Sequence, residues 1–315
     1  MGIASGIASQ LGFKAESTVG TRVVPDRFIE FVSESLKLDQ EFLPSRGLRA
    51  SRHTPRRRHK GRQSVSGDVV FELAPQSTGL IFKHTLGGVG TTGSDPYTHT
   101  FTHGVLDDLA FTVQISKPDE GGTARPFDIV GAQITNLKLD ARVGEIVMAT
   151  MSLYGAHEDR SQSLASASYP ASWTPYTYLH GVLTVASAEY AATEVSIDIP
   201  TGIRTGRHVI RSTNPERPRK SRSQNTRAIG GTIRSDFFDL TAYERAVNQT
   251  AASLSLVFTS GTNVLTISGS VEFDVDSPNV SGEDMLELGL PFHFMHATSD
   301  ASAFTVTLVN ADSTP

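Results

Sequence analysis

His99 and His103 stand four residues apart, a spacing that puts two metal ligands on one side of a helix. Thr98, Thr100, Phe101 and Thr102 around them favour a strand end, and no nearby carboxylates complete a site. The run Gly87-Gly-Val-Gly-Thr-Thr-Gly93 has the glycine density of a phosphate loop, but it lacks the lysine and the following helix pattern. It reads as a hairpin or helix-end loop. No Gly-x-Ser-x-Gly elbow is present, and His157-Glu-Asp reads as a polar loop. Trp173 with Tyr169, Tyr176 and Tyr178 could offer a sugar platform, although aromatics packing a linker onto a domain account for them as well. The chain has 0 cysteines, which excludes a thiol nucleophile, a thiolate metal site and a disulfide framework. The expectation is a protein without catalytic, metal or cofactor sites.

Charge is the stronger signal. Residues 46 to 62 carry 8 Lys or Arg and no acid, and residues 204 to 227 carry 8 more with only Glu216. Elsewhere 12 bases face 32 acids, so the formal net charge of −5 conceals an acidic body with two cationic segments. Each segment follows one strand-like run, precedes another and is succeeded by a short helix-like run. A chain built twice on one plan, with cationic arms and an acidic body, is suited to binding copies of itself.

The elements that position these charges are mostly strands. Val65, Val69, Phe71 and Leu73 alternate with Ser64, Ser66, Asp68 and Glu72, and Leu137, Leu139, Ala141 and Val143 with Asn136, Lys138, Asp140 and Arg142. Val195, Ile197 and Ile199 alternate with Glu194, Ser196 and Asp198; Val271, Phe273 and Val275 alternate with Glu272, Asp274 and Asp276. Leu286, Leu288, Leu290, Phe292 and Phe294 keep even parity. Such strands bury one face and wet the other, as in antiparallel sandwiches and barrels. Helices are expected at 77–86 and at 239–248, the latter opened by a Thr241-Ala-Tyr-Glu244 capping box. Gly67 aligns with Gly231, and Val143-Gly-Glu145 with Ser281-Gly-Glu283, offsets of 164 and 138 positions. The expected organisation is a first domain over 1–155 with its arm at 46–62, a Ser, Ala and Pro-rich linker over 156–176, and a second domain over 177–315 with its arm at 204–227. No apolar run is long enough to span a membrane and no leader pattern opens the chain, so the expectation is a soluble protein made in the cytoplasm.

An ordered series of blocks resembles a known family. Gly12-Phe-Lys-Ala-Glu-Ser-Thr-Val-Gly-Thr21, Arg27-Phe-Ile-Glu-Phe-Val-Ser-Glu-Ser-Leu-Lys-Leu-Asp39, Ser64-Val-Ser-Gly-Asp-Val-Val-Phe-Glu72 and Gly79-Leu-Ile-Phe-Lys-His-Thr-Leu-Gly87 come first. Tyr97-Thr-His-Thr-Phe-Thr102, Ala167-Ser-Tyr-Pro-Ala-Ser172 and Thr307-Leu-Val-Asn-Ala-Asp312 follow. From about residue 10 to the end the chain is similar to the two-domain tail tube proteins of long, flexible-tailed bacteriophages. The resemblance implies two β-sandwich domains, each with a short helix, contributing strands to an oligomeric β-barrel around a lumen. It further implies trimeric, pseudo-six-fold rings stacked into the conduit for DNA ejection, in a virion tail built in the host cytoplasm. The implied partners are the chain itself, the tape measure, tail terminator and distal tail proteins, and genomic DNA passing through without sequence-specific binding; membrane insertion is not expected. The Gly-Ile-Ala-Ser repeat before residue 10 and the Arg-dense second arm depart from the pattern.

Within that frame an acidic wall keeps passing phosphates from binding. The lumen candidates are Asp68, Glu72, Asp140, Asp198, Glu272, Asp274 and Asp276, with Lys138 and Arg142 sharing one of their faces. Ring-stacking candidates on the first arm are Arg46, Arg49, Arg52, Arg56, Arg57, Arg58, Lys60 and Arg62. On the second they are Arg204, Arg207, Arg211, Arg217, Arg219, Lys220 and Arg222, residues whose planar forks or ammonium groups suit carboxylates on neighbouring rings. The alternative is a β-sandwich binding module for nucleic acid or carbohydrate, resting on the arms or the aromatics alone.

Overall fold

A computed structural model describes residues 5–47, 57–171, 173–223, 226–278, 280, 283, 285–295 and 304–315. The protein is mainly β. Its first half contains β1 (Leu11–Ala15), β2 (Arg27–Ile29), β3 (Phe31–Glu34), β4 (Lys37–Pro44), β5 (Arg58–Glu72), α1 (Gly79–Leu86), β6 (Gly87–Gly93), β7 (Tyr97–His103), β8 (Phe111–Pro118), β9 (Ala124–Arg142), β10 (Met148–Gly155) and β11 (His157–Asp159). The second contains β12 (Gly181–Val185), β13 (Ala188–Glu189), β14 (Glu194–Pro200), β15 (Ile203–Arg204), β16 (Arg222–Ser223), β17 (Gly230–Asp236), α2 (Thr241–Val247), β18 (Ala252–Ser260), β19 (Asn263–Phe273), β20 (Glu287–Met295) and β21 (Phe304–Asn310).

Antiparallel pairing links β4, β5, β10, β9, β14, β17, β20 and β19, in that order, into one continuous inner sheet. Outer strands stack over it: β2, β1, β8, β9 and β11 on the first half, and β12, β18, β19, β21, β7 and β6 on the second. The long strands β9 and β19 pass from one layer to the other, which is why each pairs with strands of both.

The inner strands of the two halves pair alike: β4–β5–β10–β9 in the first, β14–β17–β20–β19 in the second. β9 receives β8, β10 and β11 as β19 receives β18, β20 and β21. Gly67 pairs with Leu153 while Gly231 pairs with Phe292, so the aligned glycines occupy equivalent positions. The physical reason is a close approach. A Cβ on Gly67 would lie 2.5 Å from the Ser35 carbonyl oxygen, and one on Gly231 would lie 2.0 Å from that of Ser196. Among the described residues the first half adds the β6–β7 hairpin, so Gly87–Gly93 forms a hairpin strand directly after α1, the hairpin of the two expectations.

The alternating residues bury as their parity requires. Val69, Phe71, Leu137, Ile197, Ile233, Leu290 and Phe292 sit in an apolar interior that runs without a break through both halves across the β9–β14 pairing. Val143 and Val275, at the ends of their runs, are exposed. The segment expected as linker contributes β11, buried His157 and Ala165, and Tyr176, which packs 5.8 Å from Phe258. His157-Glu-Asp is therefore strand and not loop. The capping box does not form: Thr241 is the first helical residue, and its backbone N–H donates to Asp239 Oδ1 at 2.8 Å. Asp239, two residues ahead, takes the capping role.

Candidate functional site: a charged sheet face and two arms

Alternation along the inner sheet sends one set of side chains to the core and the other to a single polar face. Asp68 and Glu72 on β5, Asp140 on β9, Asp198 on β14 and Glu272 on β19 share that face by register. Asp274 joins them through His293, whose Nε2 is 2.9 Å from its Oδ2. Asp276 places its carboxylate beside Gly289, just past the end of β19. The face gathers all seven lumen candidates.

Three bases on this face are matched locally. Lys138 Nζ lies 2.9 Å from Asp140, and Arg142 lies 2.9 Å and Arg234 3.7 Å from Glu194. Asp68 and Asp198 instead accept hydrogen bonds from the neutral Ser152 hydroxyl and Asn136 amide, each at 2.6 Å, which leaves their charge in place. Neutral donors hold the carboxylates without cancelling them, so the face stays acidic.

The two arms are built differently. The base of the first is a two-stranded ribbon, with Pro44, Leu43 and Phe42 opposite Arg58, His59 and Lys60. Arg58 stacks 4.7 Å over the Phe42 ring, and Arg62 Nε lies 2.8 Å from Glu41, whose carboxyl is held below its ordinary range chiefly by that hydrogen bond. Residues 58–62 are thus strand. The apolar faces of Phe42 and Leu43 give the bases something to cover, and long basic stems pack well on such surfaces. Arg46 and Arg57 are exposed; Arg49, Arg52 and Arg56 lie outside the described residues.

The second arm folds back on the first half. Its feet pair through β15 and β16, which hold Arg204 and Arg222. Arg211 donates to the Asn214, Arg217 and Pro218 carbonyls, closing a turn inside the arm. His208 and Glu216 bind the backbone of Gln63, and Lys220 pairs with Asp108. Arg217 lies 3.5 Å from Glu216, while Arg207 and Arg219 are exposed. Arg227, which sequence reasoning counted only as charge, donates to the carbonyls of Leu86 at 2.7 Å and Gly104 at 2.6 Å. It thereby caps the negative end of α1.

Of the histidine pair, His99 has both ring nitrogens engaged. His99 is buried, with Nδ1 2.9 Å from the Thr91 hydroxyl and Nε2 2.8 Å from the Asp312 carbonyl. Among the described residues no group of three potential ligands converges, and no helix is long and apolar enough to cross a membrane. Tyr176 is core, and Tyr169 leans on Phe28 at 6.0 Å.

What the described residues offer outward is extended charged surface on a mainly β fold. The chain belongs to the phage tail tube protein family, whose model matches residues 6–294. Membership makes it a structural component of the virion tail that assembles with its own kind into a tube. Comparison with curated proteins gives no match.

Proposed function

We propose that three copies close into a pseudo-six-fold ring, that rings stack into the tail tube, and that the acidic face of the inner sheet lines the channel through which DNA is ejected. The observation that carries this reading is the β9–β14 pairing. Within one chain it joins two equivalent four-stranded sheets side by side into eight strands. Repeating the same junction between chains closes the sheet on itself and removes its unpaired edges. The two halves then act as the domains 1–155 and 177–315, joined through 156–176.

The polar face supports the channel role through its charge. Phosphates repelled by Asp68, Asp198 and Glu272 do not exchange their counterions for protein contacts, so the duplex slides. The exposed arginines of the first arm reach toward acidic surfaces of the next ring, where opposite charge steers docking. At its ends the tube meets the tape measure, tail terminator and distal tail proteins. Negative-stain microscopy of the purified protein tests the reading. Hollow tubes or stackable rings are expected; dispersed monomers that bind DNA through the arms would replace it with a nucleic-acid-binding module.

A further inference from the structure

The inner sheet ends on two edges that no described residue pairs. One is the outer edge of β4, which pairs only with β5; the other is the stretch that continues β19 beyond Phe273. We propose that, in the ring argued for above, these edges of two copies pair antiparallel in one register, with Leu38 of one chain opposite Val275 of the next and Lys37 opposite Asp276.

The register follows from the internal junction. Lys37 pairs with Ser66, and Asp198 pairs with Gly230; Ser66 and Gly230 each directly precede a matched glycine. Lys37 therefore corresponds to Asp198, and Leu38 to Ile199. On the other strand Ile134 pairs with Leu153 as Phe273 pairs with Phe292. β9 then inserts one extra residue, so that Asn136 opposes Ser152. The second half stays in step, with the Asp274 N–H donating to the Pro291 carbonyl at 2.9 Å. Asp274, Val275 and Asp276 thus correspond to Asn136, Leu137 and Lys138. Inside the chain Leu137 faces Ile199 and Lys138 faces Asp198. Carried across the ring junction, those two contacts become Val275 with Leu38 and Asp276 with Lys37.

The side chains fit this reading. Leu137 and Ile199 are 1% and 0% exposed, whereas Val275 is 54% exposed and awaits a partner. The facing positions keep opposite charges with the sides exchanged, lysine now on the β4 side and aspartate on the other, although inside the chain Lys138 bonds to Asp140 and Asp198 to Asn136. Lys37 shares the polar face, since it stands opposite Ser66. The register also sets Asp39 against Asp274, whose carboxylate is already engaged by His293. A second surface meets the same neighbour. In the first half α1 is buried, with Asn310 bonded to Pro75, Asp312 to Ser77 and Arg227 to Leu86, all from the second half. The equivalent flank of α2 exposes Phe238, Leu240 and Val247 at 61%, 55% and 51%. The same relation brings the next copy's first half over them.

Because the chain has 0 cysteines, one engineered pair reports the register unambiguously. Leu38→Cys with Val275→Cys places two Cα atoms directly opposite, at about 4.5–5.5 Å, within disulfide reach. Oxidised rings should give a non-reducing ladder whose top band is three chains, and Leu38→Cys with Asp276→Cys, whose side chains leave opposite faces, should give none. Lys37→Glu should lose rings while the subunit stays folded by circular dichroism, and Lys37→Glu with Asp276→Lys should regain them. Linking in the shifted pair, or rings that never link, would overturn the register and leave the ring reading standing. A wild-type protein that forms no rings would overturn both.

Discussion

At the scale of single residues, two glycines and two histidines carry the most specific consequences. Gly67 and Gly231 each face a backbone carbonyl oxygen, of Ser35 between β3 and β4 and of Ser196 on β14, and a methyl group there forces backbone apart. Gly67→Ala or Gly231→Ala should cost about 1–3 kcal/mol, the range for strain in a packed site. Gly90→Ala, in a strand position with nothing within 4 Å, should change the urea midpoint little. Equal effects at all three positions would remove the close approach as the reason for the matched glycines. His84, stacked 3.9 Å from Phe111, has its pKa pushed down to about 3 by burial and then by Lys83. His157 is pushed down to about 4 by burial and then by Arg217, against the pull of Asp159 and Glu216. Both are neutral in the fold and take up protons on unfolding in acid. Their contribution is complete above pH 6.5 and is lost as pH falls toward about 4, and further toward about 3 for His84. Stability should decline across that window by up to about 1.4 kcal/mol per pH unit for His84. Denaturation of His84→Phe between pH 7 and pH 5 should show a shallower decline; an unchanged slope would assign the acid sensitivity elsewhere.

At the scale of elements, strands were legible because one buried face and one wet face impose parity, and Val69, Phe71, Ile197 and Leu290 are buried as that parity requires. Gly67 and Gly231 were legible as a pair because close backbone contact leaves no alternative residue. Other features depend on partners distant in sequence. Nothing local in Ala188–Glu189 marks a strand, and nothing in Arg227 marks a cap for a helix 141 positions away. Thr241 and Glu244 have the capping-box spacing, yet Asp239 reached the free amide first. The basic run at 58–62 carries no strand parity of its own; its strand character comes from Phe42 and Leu43 opposite. The arms invite a charge test at this scale. Arg56→Glu, Arg57→Glu and Arg58→Glu together should leave subunits folded and rings closed but abolish stacking, because the arm then repels acidic surfaces of the next ring. Wild-type stacking should weaken as salt shortens the Debye length below about 8 Å. Light scattering reads both; normal tubes from the reversed protein would shift the stacking role to the second arm.

At the scale of the whole molecule, one polar sheet face gathers acids from both halves while the cationic segments lie at the arms. If that face lines the channel, Glu72→Lys with Glu272→Lys, both outside the register proposed for the ring junction, should leave tubes intact and slow DNA ejection, since new phosphate contacts hold the duplex without disturbing the core. Unchanged ejection would make the face ordinary solvent surface, and failed assembly would make it an interface. The same segregation explains why a nearly balanced net charge says little about the protein: the sum hides an acidic sheet face and basic arms. The central claim is that two equivalent halves in each chain stand in for two subunits of a six-fold ring. The most direct measurement is an electron cryo-microscopy cross-section of the assembled tube, with the mass of a single ring determined alongside. Three chains per ring around an open lumen are expected, with β4 of each chain continuing the sheet of the next; six chains per ring, or a tube whose inner wall is not this sheet, would overturn the two-for-one ring.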